Sequence, residues 1–263
     1  MIIVFKDCGY FNYYHWLIYM LSNLSFYNNE PPSTIYAPLP DHDSFQQQSL
    51  RLIFPNAEII NSRYHEPGNI DNIWKVPQCP SSNWRGSGVD HNYYRFLREK
   101  LMNFGVKTYD YEYIYISRKL NSQSEGHRNI SGRHIYNEDA MMEKLKILGF
   151  KMVTVENMSL EKQIGLFKFA KIVISPHGAA LVNTCFCTEN THIIEVIPRE
   201  CDWEQFSDIA KTFNIPYTRF NDVYDWDHEY NMHINIDGIV NLVKLLQNER
   251  KTDSSLVGTN SYI

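Results

Sequence analysis

The chain has 263 residues, enough for one large domain or two small ones, and its 43% hydrophobic and 21% charged residues suit a globular protein with a substantial core. A net charge of −5 with no Lys/Arg block argues against a nucleic-acid partner held by phosphate neutralisation. The cysteines (Cys8, Cys79, Cys185, Cys187, Cys201) form neither a disulfide framework nor zinc-spaced pairs, and no apolar run approaches the about 20 residues of a membrane span, so the chain reads as cytoplasmic with no span.

The N-terminus, MIIVFKDCGY, is interrupted by Lys6 and Asp7 too early for a signal peptide and reads instead as a strand over Ile2 to Phe5. A turn at Asp7-Cys8-Gly9 leads to a helix with Trp16, Met20 and Leu24 along one side and His15 and Tyr19 one turn apart. Short pieces follow: strands at Ile35 to Ala37 and Ala57 to Ile60, with a helix from Ser44 to Ile53 between them. Ser81 to Asp90 reads as loop, and His91 to Phe104 as a helix ended by Gly105 at its C′ position. Beyond Gly105 the texture changes to alternating strands and helices. Strands are predicted at Tyr111 to Ser117, Lys151 to Val155, Ile172 to Ser175, His192 to Ile197 and Tyr217 to Phe220. Helices are predicted from an Asn137 cap to Gly149, over Ser159 to Ala170, Trp203 to Phe213, and Asp237 to Leu246. That alternation implies a parallel sheet with right-handed crossovers and ligands at the C-terminal ends of its strands.

At one such end lies Pro176-His177-Gly178, followed by Ala179 and Ala180. A strand that stops at a glycine turn and feeds a helix collects free N–H groups and the positive helix end at one point, which suits a phosphate. Gly178 would let a ligand approach the backbone closely. The same turn also serves as an ordinary βα connection. Ser117-Arg118, Glu156 and Pro198 fall at other strand ends and converge on the same edge.

In order along the chain, Asn12-Tyr-Tyr-His-Trp-Leu17, Tyr115-Ile-Ser-Arg118, Arg133-His-Ile-Tyr-Asn-Glu138, Gly149-Phe150, Glu156, Ser159-Leu-Glu-Lys-Gln-Ile164, Ala170, Pro176-His-Gly-Ala-Ala-Leu181, Asn183, Phe186 and Ile194-Glu-Val-Ile-Pro198 together resemble family 61 of the glycosyltransferases. The resemblance implies an α/β, GT-B-like fold: two Rossmann-like domains with parallel sheets facing a cleft, the N-terminal one reduced. It implies inverting, metal-independent transfer of a sugar from a nucleotide-diphosphate sugar, UDP-linked, to a glycan hydroxyl, as in polysaccharide synthesis, with the donor as co-substrate and no cofactor. Residues 1–103 would form the acceptor-side domain and 104–249 the donor-binding domain, its last helix packing back across the cleft, with 250–263 a flexible tail. The small first domain implies a truncated unit or one completed by another chain, and so an oligomer.

Without a metal, the departing diphosphate has to be neutralised by fixed charge and backbone dipoles. The donor-binding residues implied are Arg118, Arg133, Asn137, Glu138, Glu156, His177, Gly178, Ala179, Ala180, Asn183 and Glu195. Arg118 and Arg133 offer bidentate guanidinium contacts, and His177 a further donor. Glu138 reads equally as a first-turn dipole residue, Asn183 as a cap or packing residue, and Glu195 as a ribose or base contact in an apolar strand. The general base is His15, with Asp7 the alternative and Asp90 a further carboxylate. Here the chain departs from the family, many of whose members carry an aspartate where this chain has Tyr19. Two D-x-D triplets, Asp41-His-Asp43 and Asp225-Trp-Asp227, lack the strand-end placement of a metal site and are read as non-metal. The alternative to catalysis is a nucleotide- or sugar-binding module of the same fold.

Overall fold

The structure is a computed structural model that describes residues 1–5, 12–27, 30–65, 67–68, 72–77, 89–119 and 132–257. Two all-parallel sheets organise it. The first contains β1 (Ile2–Val4), β2 (Thr34–Ala37), β3 (Glu58–Asn61) and β4 (Ile73–Lys75) in the order β3-β2-β1-β4. The second contains β5 (Tyr113–Ile116), β6 (Lys151–Val153), β7 (Ile172–Pro176), β8 (His192–Val196) and β9 (Tyr217–Phe220) in the order β6-β5-β7-β8-β9. A two-stranded antiparallel ribbon, β10 (Val223–Tyr224) and β11 (His233–Ile234), follows. The α/β class expected from the alternation is therefore observed.

In the second sheet the chain starts at β5, steps outward to β6, then returns to the other side of β5 to lay down β7. Between β5 and β7 the winding direction reverses, and such a reversal opens a crevice at the strands' C-terminal ends. The first sheet reverses likewise between β1 and β4, and α1 (Tyr13–His15) is the first described helix after β1.

Successive strand residues point to opposite faces, which places Ile114, Ile116 and Val173 in one core cluster and Tyr115, Ile172 and Ile174 in another. The first cluster is continuous with the buried residues of the N-terminal half, Ile3, Ile35, Trp16 and Leu97 among them. Polar ties cross the same junction. Leu160 N donates to Gln48 Oε1 at 2.6 Å and Arg98 to Cys187 O at 2.5 Å. The second cluster lies under α4 (Glu138–Ile147) and α7 (Ile236–Val257).

Several local expectations are corrected. The first helix is not a continuous α-helix: after α1 it widens to a π-turn over Trp16–Met20 and tightens to 3-10 over Leu21–Phe26. Leu21 N bonds to both Trp16 O and Leu17 O, and the residues there are buried nearly all round rather than along a stripe. Gly105 is extended (φ −62°, ψ 117°), not left-handed, after α3 (His91–Leu101) and a 3-10 turn. Asn137 does not cap α4; its amide donates to Ile234 O at 2.8 Å and its Oδ1 accepts from Ile234 N at 3.1 Å. The last helix runs to Val257, not Leu246, because no glycine or proline stops it before Gly258. It packs on α4 and the second sheet's outer face rather than across the cleft, with Lys144 paired to Asp237 at 2.6 Å and Gln247 donating to Leu148 O. Strand β4 and the β10–β11 ribbon, too short to carry a periodic signal, were not anticipated.

Candidate functional site

Arg118 follows β5 and His177-Gly178 follows β7, so the reversal point of the second sheet brings them together. Arg118 is 8% exposed, and its Nε donates to Gly132 O at 3.2 Å. Burial first, then the charge of Arg133, brings its pKa down to about 10. The guanidinium lies directly over Gly178: a Cβ there would fall 3.2 Å from its Cζ and would collide with Nη1. Gly178 itself is extended (φ 175°), a conformation open to any residue. The space a side chain at Gly178 would take is thus occupied by the end of the Arg118 side chain, and no left-handed turn calls for glycine here.

Arg133 reaches the same place from the segment that enters α4. It has φ 63°, rare for a residue with a side chain, and its N–H donates to Glu229 O at 3.0 Å. Gly132 beside it has φ 120°, and a Cβ there would strike Glu229 O, so this crossing of two backbones requires glycine. Next along, Ile135 bridges Met232 in parallel. The Arg133 guanidinium sits 5.8 Å over the Trp203 ring, a cation–π contact, and among the described residues it has no carboxylate ion-pair partner. Burial lowers its pKa.

His177 is 3% exposed. Its Nδ1–H donates to Glu195 Oε1 at 2.5 Å, and its Nε2 lies 3.2 Å from the Gln205 amide nitrogen. Trp203 and Phe206 pack on its ring at 4.7 and 4.9 Å. Glu195, fully buried in β8, also accepts from Tyr217 OH, which answers why so apolar a strand holds an acid. With both ring nitrogens engaged, His177 orients the turn rather than offering a hydrogen to phosphate, and Glu195 is its partner rather than a ribose contact. Burial lowers the His177 pKa, Glu195 opposes the shift, and the charges of Arg133 and Arg118 add to it, so His177, Glu195 and the two arginines act on one another electrostatically.

The helix behind Gly178 is a 3-10 helix, Ala179–Phe186, with Ala179 and Ala180 half-buried at its start. Its first N–H groups lack intrahelical acceptors, as at any helix start. Asn183, fully buried, accepts from Tyr13 OH at 2.7 Å and donates to Gln163 Oε1 at 3.3 Å. That ties α1 to the second half. Glu138 is 2% exposed and accepts from Tyr115 OH and Ser117 Oγ at 2.6 and 2.8 Å, with Lys119 Nζ 3.2 Å from its other oxygen. It props the end of β5 from beneath. Asn137 is committed to β11 as described. Glu156 is exposed after β6, and its charge acts on Arg118.

On the N-terminal side, His15 is half-buried, its ring 5.6 Å from Tyr19 and 6.0 Å from Tyr14, and burial lowers its pKa. Tyr14 packs on Phe206 at 5.8 Å, and Phe206 on His177, so an aromatic chain links His15 to the arginine site. Asp7 lies outside the described residues. Asp90 is the N-cap of α3, accepting from Asn92 N at 2.9 Å. In the D-x-D triplets, Asp41 accepts from Tyr64 OH, Asp43 pairs with Arg51 at 2.8 Å, and Asp227 accepts from Tyr136 OH, Asn231 and Glu229 N to shape a turn. Sequence reasoning missed Trp203, Gln205, Phe206, Tyr217 and Tyr230. Only the aromatic richness of that stretch signalled them.

The family described as Glycosyltransferase 61 matches residues 13–194. No curated protein matches the chain. Among solved structures, the dodecameric iron-containing heptosyltransferase TibC in complex with ADP-D-β-D-heptose is 10% identical with a TM-score of 0.43, and TibC from enterotoxigenic E. coli H10407 is 11% identical with a TM-score of 0.40. In both cases 74% of this chain is covered, and it spans 57% of the TibC chain. The family match takes in well over half of the chain, opening two residues before His15 and closing one before Glu195. The chain belongs to glycosyltransferase family 61.

Proposed function

We propose that the protein transfers a sugar from a nucleotide-diphosphate sugar, UDP-linked, to a glycan hydroxyl, with inversion and without a metal. The observation that carries this is the convergence of Arg118 and Arg133 at the reversal point of the second sheet, beside the helix start at Ala179 and Ala180. One buried and one half-buried guanidinium form a pre-set seat for a diphosphate, and fixed charge in a water-poor site stabilises a leaving anion without reorganising. In the step, the acceptor oxygen bonds to the anomeric carbon while the bond from that carbon to the diphosphate oxygen breaks. Its electron pair leaves with the nucleotide diphosphate, and the acceptor proton passes to a base.

His15 is that base in this reading. Its lowered pKa keeps it neutral at pH 7, so it can accept a proton, and aromatic contacts through Tyr14 and Phe206 connect it with His177 beside the arginines, which supports the reading. Asp7 remains the alternative carboxylate. Gln205 Oε1 is buried without a hydrogen-bond partner among the described residues, an acceptor that a sugar hydroxyl would satisfy. A role in polysaccharide synthesis in the cytoplasm belongs to the same reading; no described helix is long and apolar enough to cross a membrane.

Transfer and donor hydrolysis with a panel of UDP- and GDP-sugars test it. Arg118→Ala is expected to lower kcat by about 10²–10³, the scale of losing one donor to a developing anion. Unchanged turnover in that variant would sink the assignment. Tyr19, standing where many relatives have aspartate, favours the second reading, a binding module. That reading predicts nucleotide protection against thermal unfolding, lost in Arg118→Ala, with no turnover in the parent.

A further inference from the structure

The β10–β11 ribbon exposes rings that the donor site does not use. Tyr224 stacks on His233 with centroids 5.7 Å apart and planes 15° from parallel, and Tyr136 packs on His233 at 5.0 Å. Tyr136 is 54% and Tyr224 53% exposed, although large aromatic rings are ordinarily spent on core contacts. Tyr224 also walls an open concavity of about 390 Å³ whose other side chains include Asn137, Asp222, Asn235 and Asp237, a volume within the roughly 300–1,000 Å³ of ligand sites. Asn235 Nδ2 donates to Asp222 Oδ2 at 2.7 Å, and Lys144 pairs with Asp237. Hydrogen bonds therefore hold these polar groups in place.

Charge selects the ligand. Among the described lining residues Asp222 and Asp237 face the single cation Lys144, which is already paired with Asp237, so the concavity carries a net negative charge that disfavours a phosphate or nucleotide. A neutral sugar chain is not. The C–H face of a pyranose is apolar and lies flat on an aromatic ring, while its rim of hydroxyls donates to carboxylates and accepts from amides. The ribbon is also continuous with the donor site: Tyr230, between its strands, touches Trp203 at 5.2 Å, and Trp203 lies under Arg133.

We propose that Tyr136, His233 and Tyr224, with the concavity beside them, form a binding surface for a neutral oligosaccharide. Where the surface is assigned to the acceptor, holding units remote from the reacting hydroxyl, it rests on the transferase reading above; the binding itself does not.

The test is calorimetric titration of the full chain with neutral hexasaccharides of β-1,4-glucose, β-1,4-xylose, α-1,6-mannose and β-1,4-N-acetylglucosamine. At least one should bind, Tyr224→Ala should weaken it tenfold or more, and Tyr136→Phe, which keeps the ring, should not. UDP affinity should be unchanged in both variants. In transfer assays Tyr224→Ala should raise KM for hexasaccharide acceptors but not for disaccharides. Should the parent bind a hexasaccharide through Tyr224 yet transfer nothing, the surface stands and the transferase reading falls. The proposal is overturned if no hexasaccharide binds the parent, if Tyr224→Ala leaves affinity within twofold, or if it weakens UDP instead.

Discussion

Gly178→Ala isolates the electrostatic argument from backbone effects. At φ 175° and ψ 167° alanine is conformationally at ease, so the substitution acts only through what its methyl meets, and what it meets is Arg118. Nη1 would sit inside the 3.0 Å that real Cβ atoms essentially never breach, and Cζ at 3.2 Å is tighter than most real contacts. To reach ordinary contact the guanidinium must retreat by more than about 1 Å, loosening its bond to Gly132 O. A misplacement of about 1 Å costs on the order of 10² in rate. A lost charge-assisted hydrogen bond gives a similar scale, about 1.5–3 kcal/mol or roughly 10- to 150-fold. The assay is kcat/KM with a UDP-sugar for the parent, Gly178→Ala, Arg118→Ala and the double variant, with thermal unfolding followed in parallel. If Gly178 acts through Arg118, the double variant matches Arg118→Ala within about 0.5 kcal/mol of activation free energy. Full additivity, or an unchanged kcat/KM in Gly178→Ala, would refute the reasoning.

Further outcomes follow from the buried polar contacts. Glu195→Ala leaves His177 and the Tyr217 hydroxyl without their shared acceptor and is expected to destabilise by about 1–3 kcal/mol for each orphaned donor; Glu195→Gln, which keeps an acceptor oxygen, should lose less in chemical denaturation. Asn183→Ala should cost about 1–3 kcal/mol through the orphaned Tyr13 hydroxyl, with Tyr13→Phe recovering part of it and the UDP-sugar KM unmoved; a raised KM without lost stability would restore Asn183 to the donor site. His192, bonded to Thr218, has its pKa lowered by burial to about 4. Between pH 6.5 and 4 the unfolded chain binds the proton and the folded one does not, so stability should fall as pH drops through that window. His192→Asn should flatten that part of the Tm profile, and an unaltered profile would contradict the shift.

Much of the second half was legible in the sequence because its information is local. Apolar runs bounded by caps and glycines mark β5, β7, β8, β9 and the helix Leu160–Lys168, which Ser159 caps by accepting from Lys162 N at 3.4 Å. Arg118 and His177 were recognisable because each follows a strand that the pattern marks. What failed was local in another way. The π-turn at Trp16–Met20 arises in a segment buried on nearly every side, where tertiary packing overrides the helical period. Roles also failed where residue type fits two jobs. Asn137 could cap a helix or pin a distant strand, and an acid could face a ligand or, like Glu195 and Glu138, brace protein groups.

By itself the sequence determined the α/β class, the parallel order implied by alternating elements, and which strand ends carry chemistry, since these follow from spacing and residue type along one chain. The tertiary structure decided who stands beside whom. Arg118 and Gly178, sixty residues apart, are neighbours, and the guanidinium occupies the space a methyl on Gly178 would take. His177 turned from a phosphate donor into an oriented spacer because Glu195, Gln205 and Trp203 close around it. Contacts of that kind depend on volumes and distances in a folded interior, which no one-dimensional pattern specifies.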